Sequence, residues 1–258
     1  MKTKLLFSST ILLLATTTQA QNRSRQDSLQ KESEKTEVWT PVPKMVTPGT
    51  NAGEAPSDAI VIFNGKNVDQ LQKENGGAVG WKIDADGALT VVKGSGNVAT
   101  KQKFGNCQLH IEWREPATVA GASQTRGNSG IFFMGKYELQ VLDSYDNPTY
   151  VNGQAGSIYK QHIPLVNASR KPGEWQTYDV IFTTAKFNAD GSVQSPARIT
   201  VLHNGILVQN NVEIKGNTEW IGQPKYTKVG DKEPIVLQDH GRDGGQPMSY
   251  RNIWIREL

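Results

Sequence analysis

Residues 137–145 read YELQVLDSY, and their alternation of apolar and polar side chains is typical of a β-strand. Successive side chains of a strand point to opposite faces, so one face should be mostly apolar while the other carries Glu138 and Gln140. A polar face turned to water is one interpretation, and a polar face that binds a ligand is the other. The two expected faces are Tyr137, Leu139, Val141 and Asp143 on one side and Glu138, Gln140, Leu142 and Ser144 on the other.

The same texture extends over residues 59–258, where short apolar runs alternate with turn signals such as DADG, NADG and HNG. These signals favour hairpins between antiparallel strands. Roughly 200 residues of this kind are enough for one all-β domain with a large core. We therefore predict a single domain over residues 59–258, a two-sheet antiparallel jelly-roll sandwich with few helices. The runs are IVIF, WKIDADGALTVV, CQLHIEW, SGIFFM, YELQVLD, TYDVIFTTAKF, ARITVLHNGILVQ, PIVLQDH and NIWIREL.

Residues 1–20 have the organisation of a secretory signal peptide. Lys2 and Lys4 precede an apolar run that is too short to span a membrane, and a small-residue cleavage site ends at Ala20. Residues 21–58 are polar and rich in Pro and Thr, which is typical of a tether or lead-in. We expect export to the periplasm or the extracellular space after cleavage near Ala20, without membrane insertion.

The single cysteine and the charge balance exclude several classes of protein. Cys107 has no partner for an internal disulfide, so we expect a buried, inert thiol and a domain held together by its core. The formal net charge of +3 gives no reason to expect a nucleic-acid partner. The motifs HExxH, CxxC and GxSxG, which mark common metal and nucleophile sites, do not occur in the sequence.

Polar side chains recur inside the apolar strands at four places, in HIEWRE, RGNSGIFF, YELQVLDSY and the segments PIVLQDHG and SYRNIWI. The recurring types are Gln, Asn, His, Arg and single carboxylates, which hydrogen-bond sugar hydroxyls in fixed directions. A concave sheet face lined with them would form a carbohydrate groove, with aromatic rings available for stacking. The predicted substrate-binding residues are Arg114, Asn128, Ser129, Asp143, Tyr159, Gln238, Asp239 and Arg251.

Five ordered segments resemble the 3-keto-disaccharide hydrolases, formerly domain of unknown function 1080. They are NSGIFFMGKYELQVLDSY, GQAGSIYKQHIPLVNASRKPGEWQTYDVIF, ARITVLHNGILVQNNVEIKG, PIVLQDHG and YRNIWIREL, and the likeness runs from about Ile60 to the C-terminus. The resemblance implies a concanavalin-A-like sandwich, export to the periplasm, and action on glycosides already oxidised to a ketone at C3. The segment RDGGQPMS at 242–249 departs from it by being longer than usual, which affects one wall of the groove.

This chemistry fits the lone carboxylate of the opening strand. Ordinary glycosidases place two carboxylates across the scissile bond, whereas the neighbour of Glu138 on its own face is the amide Gln140. A ketone at C3 acidifies the proton on C2, so one base suffices for elimination of the group on C1, and water then adds. We predict Glu138 as the base, with Gln140, His240 and Arg251 around the ketone and hydroxyls. His240 is alternatively the acid, or a structural residue that closes a turn.

Asp143 or Asp239 is expected to hold a partner or a loop in place. Glu138, Gln140, Asp239 and His240 also offer oxygen and nitrogen ligands for a divalent cation, although the proposed chemistry does not require a metal.

Two other functions remain open at this stage. A non-catalytic glycan-binding module would use the same fold, since a fold does not fix a function. A conventional glycosidase would need Glu112 or Glu115 brought close to Glu138 from another strand.

Overall fold

The computed structural model describes residues 7–241 and 246–258, with side chains from residue 19 onward. Lys2 and Lys4 of the predicted signal peptide, and residues 242–245 of the long segment before the last strand, lie outside the described residues. The contacts divide the chain into two units, of which one ends at Met45 and the other runs Val46–Leu258.

The first unit contains helix α1, Phe7–Glu34. The sequence shows no apolar periodicity after residue 20, and residues 19–34 are exposed throughout. Its Gln, Arg, Lys and Glu residues are nevertheless good helix formers, so local propensity accounts for a helix that periodicity did not indicate. Within the described part of the chain, no helix combines the length and the apolarity needed to cross a membrane.

The second unit is a sandwich of two antiparallel sheets, which confirms the predicted fold class. In order across the larger sheet the strands are β13, β12, β9, β6, β15, β4 and β3, with β1 also paired to β15; the smaller sheet has the order β2, β5, β14, β7, β8, and β10 pairs with β11. The strands are β1 Ile60–Phe63, β2 Leu71–Lys73, β3 Lys82–Ile83, β4 Leu89–Thr90, β5 Val98–Thr100, β6 Cys107–Arg114, β7 Asn128–Phe133, β8 Tyr137–Leu142, β9 Gln176–Thr183, β10 Lys186–Phe187, β11 Val193–Ser195, β12 Arg198–His203, β13 Ile206–Glu213, β14 Val236–Leu237 and β15 Ser249–Glu257.

The core lies between the two sheets. Phe133 of the smaller sheet stacks on Phe182 of the larger one, with ring centroids 4.8 Å apart. Tyr178 and Tyr250 reach across from the larger sheet and donate hydrogen bonds to Gln140 O (2.8 Å) and to Ser129 Oγ (2.6 Å). Buried phenols need such partners, and here the partners hold the two sheets together. Cys107 is buried, as predicted, and burial raises the pKa of its thiol to about 12.

The register of β7 and β8 decides which side chains leave this core. Phe132 lies opposite Glu138, and Gly130 lies opposite Gln140. Directly opposed residues share a face, so these four face away from the core, whereas the alternate apolar side chains of β8 join it. Backbone hydrogen bonds from Gly156, Gln140 and Tyr159 then add a further segment, residues 156–159, alongside β8. The backbone edge of β8 is thereby hydrogen-bonded to a neighbouring segment.

Residues 46–58, which the sequence pattern groups with the lead-in, belong to the sandwich unit. Asn252 Nδ2 and Trp254 Nε1 both donate to Gly53 O at 2.8 Å, and Arg256 pairs with Asp58 at 2.8 Å. Asn252 has φ of 45° at a register shift in the pairing of β15 with β6. Asn tolerates this left-handed backbone conformation, and the bulge turns its amide towards Gly53.

Candidate active site

A cavity of about 480 Å³ opens on the face of the smaller sheet that points away from the core. Its floor comes from β7, β8 and the residues after β14, and its walls come from the loops around residues 124, 150, 159 and 218–220. Several polar residues predicted to bind substrate are brought together here. The lining residues are Gln124, Thr125, Asn128, Phe132, Glu138, Gln140, Tyr150, Tyr159, Thr218, Trp220, Gln238 and His240.

Glu138 is the carboxylate on the floor of this cavity. Its side chain lies in register with the Phe132 ring and only 6% of the residue is exposed. Its backbone N–H donates to Thr218 Oγ1 (2.9 Å), but its carboxylate makes no hydrogen bond with any residue that the structure describes. Burial without a compensating donor disfavours the charged form and raises the pKa of Glu138 to about 8. A carboxylate of this kind is a strong base once it loses its proton.

The space for the Glu138 carboxyl group depends on Gly130. A Cβ at position 130 would lie 2.5 Å from Glu138 Oε1 and 2.8 Å from Phe132 Cε2. No real side chain makes contacts this short, so only glycine allows the carboxyl group and the aromatic ring to pack side by side.

Gln140, next on the same face, is held by a network of amides. Its Nε2 donates to Gln124 Oε1 (3.1 Å), Gly153 O (3.3 Å) and Asn128 Oδ1 (3.4 Å). Asn128 in turn donates to Gln124 O at 2.8 Å. Gln140 Oε1 is buried without a partner, although buried acceptors are normally satisfied. The network therefore fixes the amide and leaves one acceptor available to a ligand.

Two further unpartnered atoms belong to this cavity, Gln238 Oε1 and His240 Nδ1. The backbone of Gln238 is held from the core side, because Ser129 Oγ donates to Gln238 O at 2.7 Å and Tyr250 donates to Ser129 Oγ. Gln238 N also donates to Gly130 O at 3.0 Å. Ser129, predicted to bind substrate, thus faces the core and acts through the backbone of Gln238, because it is one residue out of phase with Asn128 and Gly130.

Aromatic rings form one wall of the cavity. The hydroxyl groups of Tyr150 and Tyr159 are 2.6 Å apart, and burial raises the pKa of both phenols. Lys160 Nζ lies 5.7 Å and 5.6 Å from the centroids of these rings and donates to Trp220 O at 2.6 Å. Trp220 is itself 74% exposed at the rim. The wall combines flat apolar faces with hydroxyl groups, a combination suited to sugar rings.

Two predicted substrate-binding arginines lie elsewhere. Arg251 and Arg114 stack on Trp175, with guanidinium carbons 4.1 Å and 4.4 Å from the ring centroid. Arg251 pairs with Glu112 (2.6 Å) and Arg114 with Asp86 (2.9 Å), all on the outer face of the larger sheet. These arginines belong to β15 and β6, which form the opposite layer of the sandwich, so the structure does not bring them to Glu138.

The same outer face holds a second cluster of ionisable groups. His110 Nδ1 is 2.6 Å from Asp179 Oδ1, and its Nε2 is 3.7 Å from Glu112. Burial alone would lower the pKa of His110, but the hydrogen bonds to Asp179 and Glu112 raise it to about 9. Burial would raise the pKa of Glu112, but His110, Asn252 and Arg251 lower it to about 2. The loop at Gly53 covers this cluster, which is a structural ion pair.

Asp143 and Asp239 hold local structure, consistent with the role expected of them. Asp143 pairs with Arg126 at 2.8 Å, and although Arg126 opposes the effect, burial raises the pKa of Asp143. The two carboxylate oxygens of Asp239 accept backbone hydrogen bonds from Gly96 (2.9 Å) and Gly241 (3.0 Å). The hydrogen bond from Gly241 to Asp239 fixes the chain directly after His240.

Neither carboxylate proposed for a conventional pair approaches Glu138. Glu112 is engaged on the outer face of the larger sheet, and Glu115 is buried against Gln176 Nε2 at 3.0 Å. Burial raises the pKa of Glu115 to about 7. Among the described residues that line the cavity, Glu138 is the only acid, and a two-carboxylate mechanism needs a second one.

The alternative of a divalent cation depends on which side chains in the cavity are free to act as metal ligands. Over residues 7–241 and 246–258, no three His, Cys, Asp or Glu residues lie close enough to hold a metal ion. The side-chain oxygens of Glu138, Gln140 Oε1 and His240 Nδ1 are free to act as metal ligands in the cavity. Both carboxylate oxygens of Asp239 already accept hydrogen bonds from backbone N–H groups. The donor set therefore lacks the fourth predicted ligand.

Sequence reasoning missed several residues of the cavity. Gln124, Tyr150, Thr218 and Trp220 lie in loops that show no alternation, and Phe132 has the pattern of a core residue. The Gly in NSGIFF was a signal, because an isolated glycine inside a strand often marks the close approach of another group. Loop residues reach a site through the tertiary fold, so periodicity does not reveal them.

These features define a class of protein, an antiparallel β-sandwich with a polar, aromatic-walled cavity on one sheet. The chain belongs to the family of 3-keto-α-glucoside-1,2-lyase-like domains, whose sequence pattern matches residues 58–256. A comparison with curated proteins gives no match.

Solved structures agree with this family assignment. A protein of Parabacteroides distasonis ATCC 8503, provisionally assigned as a glycosyl hydrolase, is 55% identical, with a TM-score of 0.84 over 87% of this chain and 96% of that chain. A second protein of that organism with the same provisional assignment is 20% identical, with a TM-score of 0.58 over 83% of this chain and 100% of the other. The second likeness concerns the fold alone.

Proposed function

We propose that this protein cleaves 3-keto-glycosides, with 3-keto-disaccharides as the substrate class, by elimination followed by addition of water. The observation that carries the proposal is Glu138, the sole acid among the described cavity residues, buried beside Phe132 with its pKa raised to about 8. A single strong base suits removal of a C2 proton made acidic by a neighbouring ketone. It does not suit the two-carboxylate route.

In the proposed reaction the Glu138 carboxylate takes the C2 proton, and the electron pair moves onto the ketone oxygen to form an enolate. The enolate then reforms the carbonyl, the bond from C1 to the leaving oxygen breaks, and that oxygen receives a proton. Water adds to C1 of the resulting enone, and C2 regains a proton. The net change is hydrolysis, with the C3 ketone kept.

The other cavity residues have supporting roles in this scheme. Gln140 Oε1 and Gln238 Oε1 are unpartnered acceptors and His240 Nδ1 is an unpartnered ring nitrogen, and all three are suited to hydrogen-bond hydroxyl groups of the sugar. A ring N–H of His240 is suited to donate to the developing enolate or to the leaving oxygen. Tyr159 and Asn128 complete the polar lining.

The decisive experiment incubates the purified protein with a 3-keto-disaccharide and, in parallel, with the same disaccharide unoxidised. We expect sugar release from the keto substrate alone, and a loss of roughly 10²- to 10⁴-fold in kcat for Glu138→Gln. Glu213→Gln, which changes an exposed glutamate on β13, is the matched control and should keep full activity. Release from the unoxidised sugar, or full activity of Glu138→Gln, would overturn the proposal. Repeating the assay with a chelator tests for a divalent cation.

Export is a separate part of the proposal. The basic, apolar and small-residue organisation of residues 1–20 supports removal of this segment after Ala20 and release into the periplasm or the medium. N-terminal sequencing of the protein recovered from its native host should begin at Gln21. Recovery of the intact N-terminus from the cytoplasm would contradict it.

A further inference from the structure

A second cavity adjoins the first. It has a volume of about 470 Å³ and shares Tyr150, Tyr159 and Trp220 with the cavity that contains Glu138. The two spaces are therefore separated by a common aromatic wall, and a molecule longer than one ring could occupy both. The chain forms the far side of the second cavity with residues 219–224.

The side chain of Trp220 is unusually exposed for a tryptophan. Tryptophan is usually among the most buried residues, yet Trp220 is 74% exposed. Its loop is held in position, because Lys160 Nζ donates to Trp220 O at 2.6 Å and Thr218 N donates to Lys136 O at 2.9 Å. An indole that is held at a cavity rim with its face open to solvent is a stacking surface for a flat apolar ring face.

The polar side chains around this indole are not used within the fold. Asn152, Glu219 and Gln223 line the second cavity, and their side chains make no hydrogen bond with the described part of the chain. They offer donors and acceptors around an aromatic platform, the combination that recognises a hydroxylated ring.

A third cavity, of about 340 Å³, adjoins the first on the opposite side and shares only Gln238 with it. No aromatic residue lies among its described lining residues. Of the two cavities that adjoin the Glu138 cavity, only the one beside Trp220 has aromatic rings among its described lining residues that could stack on a sugar.

We propose that the cavity between Asn152 and Trp220 is the leaving-group subsite, which takes the second sugar ring of a disaccharide stacked on Trp220. The inference rests on the proposed function for the identity of the leaving group. The subsite makes the protein selective for glycosides whose leaving group is itself a sugar, because a small alcohol would leave the second cavity and its three polar side chains without contacts.

Calorimetric titration tests the subsite independently of catalysis. The probes are an unoxidised α-linked glucosyl disaccharide and methyl α-glucoside, whose methyl group is too small to fill the second cavity. We expect the protein to bind the disaccharide roughly tenfold more tightly than methyl α-glucoside, and Trp220→Ala to abolish this preference. Ile221→Ala is the matched control, since Ile221 is also 74% exposed but lines neither cavity.

Equal affinity for the two probes, binding of neither, or an unchanged preference in Trp220→Ala would each overturn the subsite. Turnover separates this result from the proposed function. If the protein cleaves a 3-keto-disaccharide and Trp220→Ala keeps its kcat/KM, the subsite fails while the function stands. If the preference for the disaccharide depends on Trp220 but no 3-keto substrate is cleaved, the function fails while the subsite stands.

Discussion

Glu138 and Phe132 lie directly opposite each other in the pairing of β8 with β7, so the aromatic ring and the carboxyl group lie beside each other on the face away from the core. This relationship keeps water from the carboxylate and raises the pKa of Glu138 to about 8. The register of two neighbouring strands therefore places an aromatic ring on the same face as this buried carboxyl group.

The activity on a 3-keto-disaccharide should rise with pH. In the proposed reaction Glu138 takes up the C2 proton only after losing its own, so kcat/KM should increase through a midpoint near pH 8. Phe132→Ala admits water to the carboxyl group, and its midpoint should move down towards the ordinary value. A profile with the same midpoint in both proteins would show that the ring does not set this pKa.

The free energy of unfolding should also depend on pH because of the raised pKa of Glu138. The carboxyl group of Glu138 titrates near 4.5 in the unfolded chain and near 8 in the fold, so between these pH values the native state holds a proton that the unfolded state has released. Stability from this group is therefore lost as the pH rises from about 4.5 to about 8, by at most about 1.4 kcal/mol per pH unit.

Glu138→Gln has no proton to lose, so its stability relative to the wild type should grow between pH 5 and pH 8. Urea unfolding of both proteins at these two pH values measures the difference. His203 has the opposite dependence, since burial lowers its pKa to about 3 and its contribution is lost as the pH falls below about 6.5. His203 is present in both proteins, so its effect cancels in the comparison. A difference that stays constant with pH would contradict the raised pKa of Glu138.

Replacement of Gly130 should damage the site through Glu138. The added methyl group of Gly130→Ala would lie 2.5 Å from Glu138 Oε1, so we expect a lower melting temperature and a large loss of kcat. Thermal unfolding of the Gly130→Ala and Glu138→Ala single and double variants checks the cause. Removing the Glu138 side chain should relieve part of the clash, so the cost of Gly130→Ala should be smaller in the Glu138→Ala background. Equal costs in both backgrounds would assign the effect to Phe132 or to the backbone.

Gln140→Glu should be strongly destabilising even though it adds only a charge. Gln140 Nε2 donates to three acceptors, including Gln124 Oε1 and Gly153 O, and a carboxylate would place negative charge against them in a buried site. Chemical unfolding should show a loss of about 1–3 kcal/mol or more. The same change at Gln194 on the exposed strand β11 is the control and should have little effect. Wild-type stability in Gln140→Glu would show that the amide network is not rigid.

The sequence determined much of the fold because strand periodicity is a local property. The alternation at Tyr137, Leu139 and Val141 predicted the core face of β8, and these side chains do join the core. Periodicity did not predict helix α1, because its residues favour a helix without forming an apolar stripe.

The site was only partly determined in this way. The sequence alone identified Glu138 and Gln140 as neighbours on one polar face and marked Gln238 and His240 in a second polar segment, and all four line one cavity. It could not tell that Arg251 and Arg114 would stack on Trp175 in the other layer of the sandwich. Alternation states which side chains share a face of one strand, whereas the layer in which that strand lies depends on long-range pairing.

Only the tertiary structure decided the burial of Glu138, the need for glycine at position 130 and the second cavity at Trp220. Each of these depends on groups that are distant in sequence and meet through sheet register or loop closure. The chain itself fixes residue types and local periodicity, and the packing of the folded chain fixes which of those residues lose contact with water and so acquire unusual chemistry.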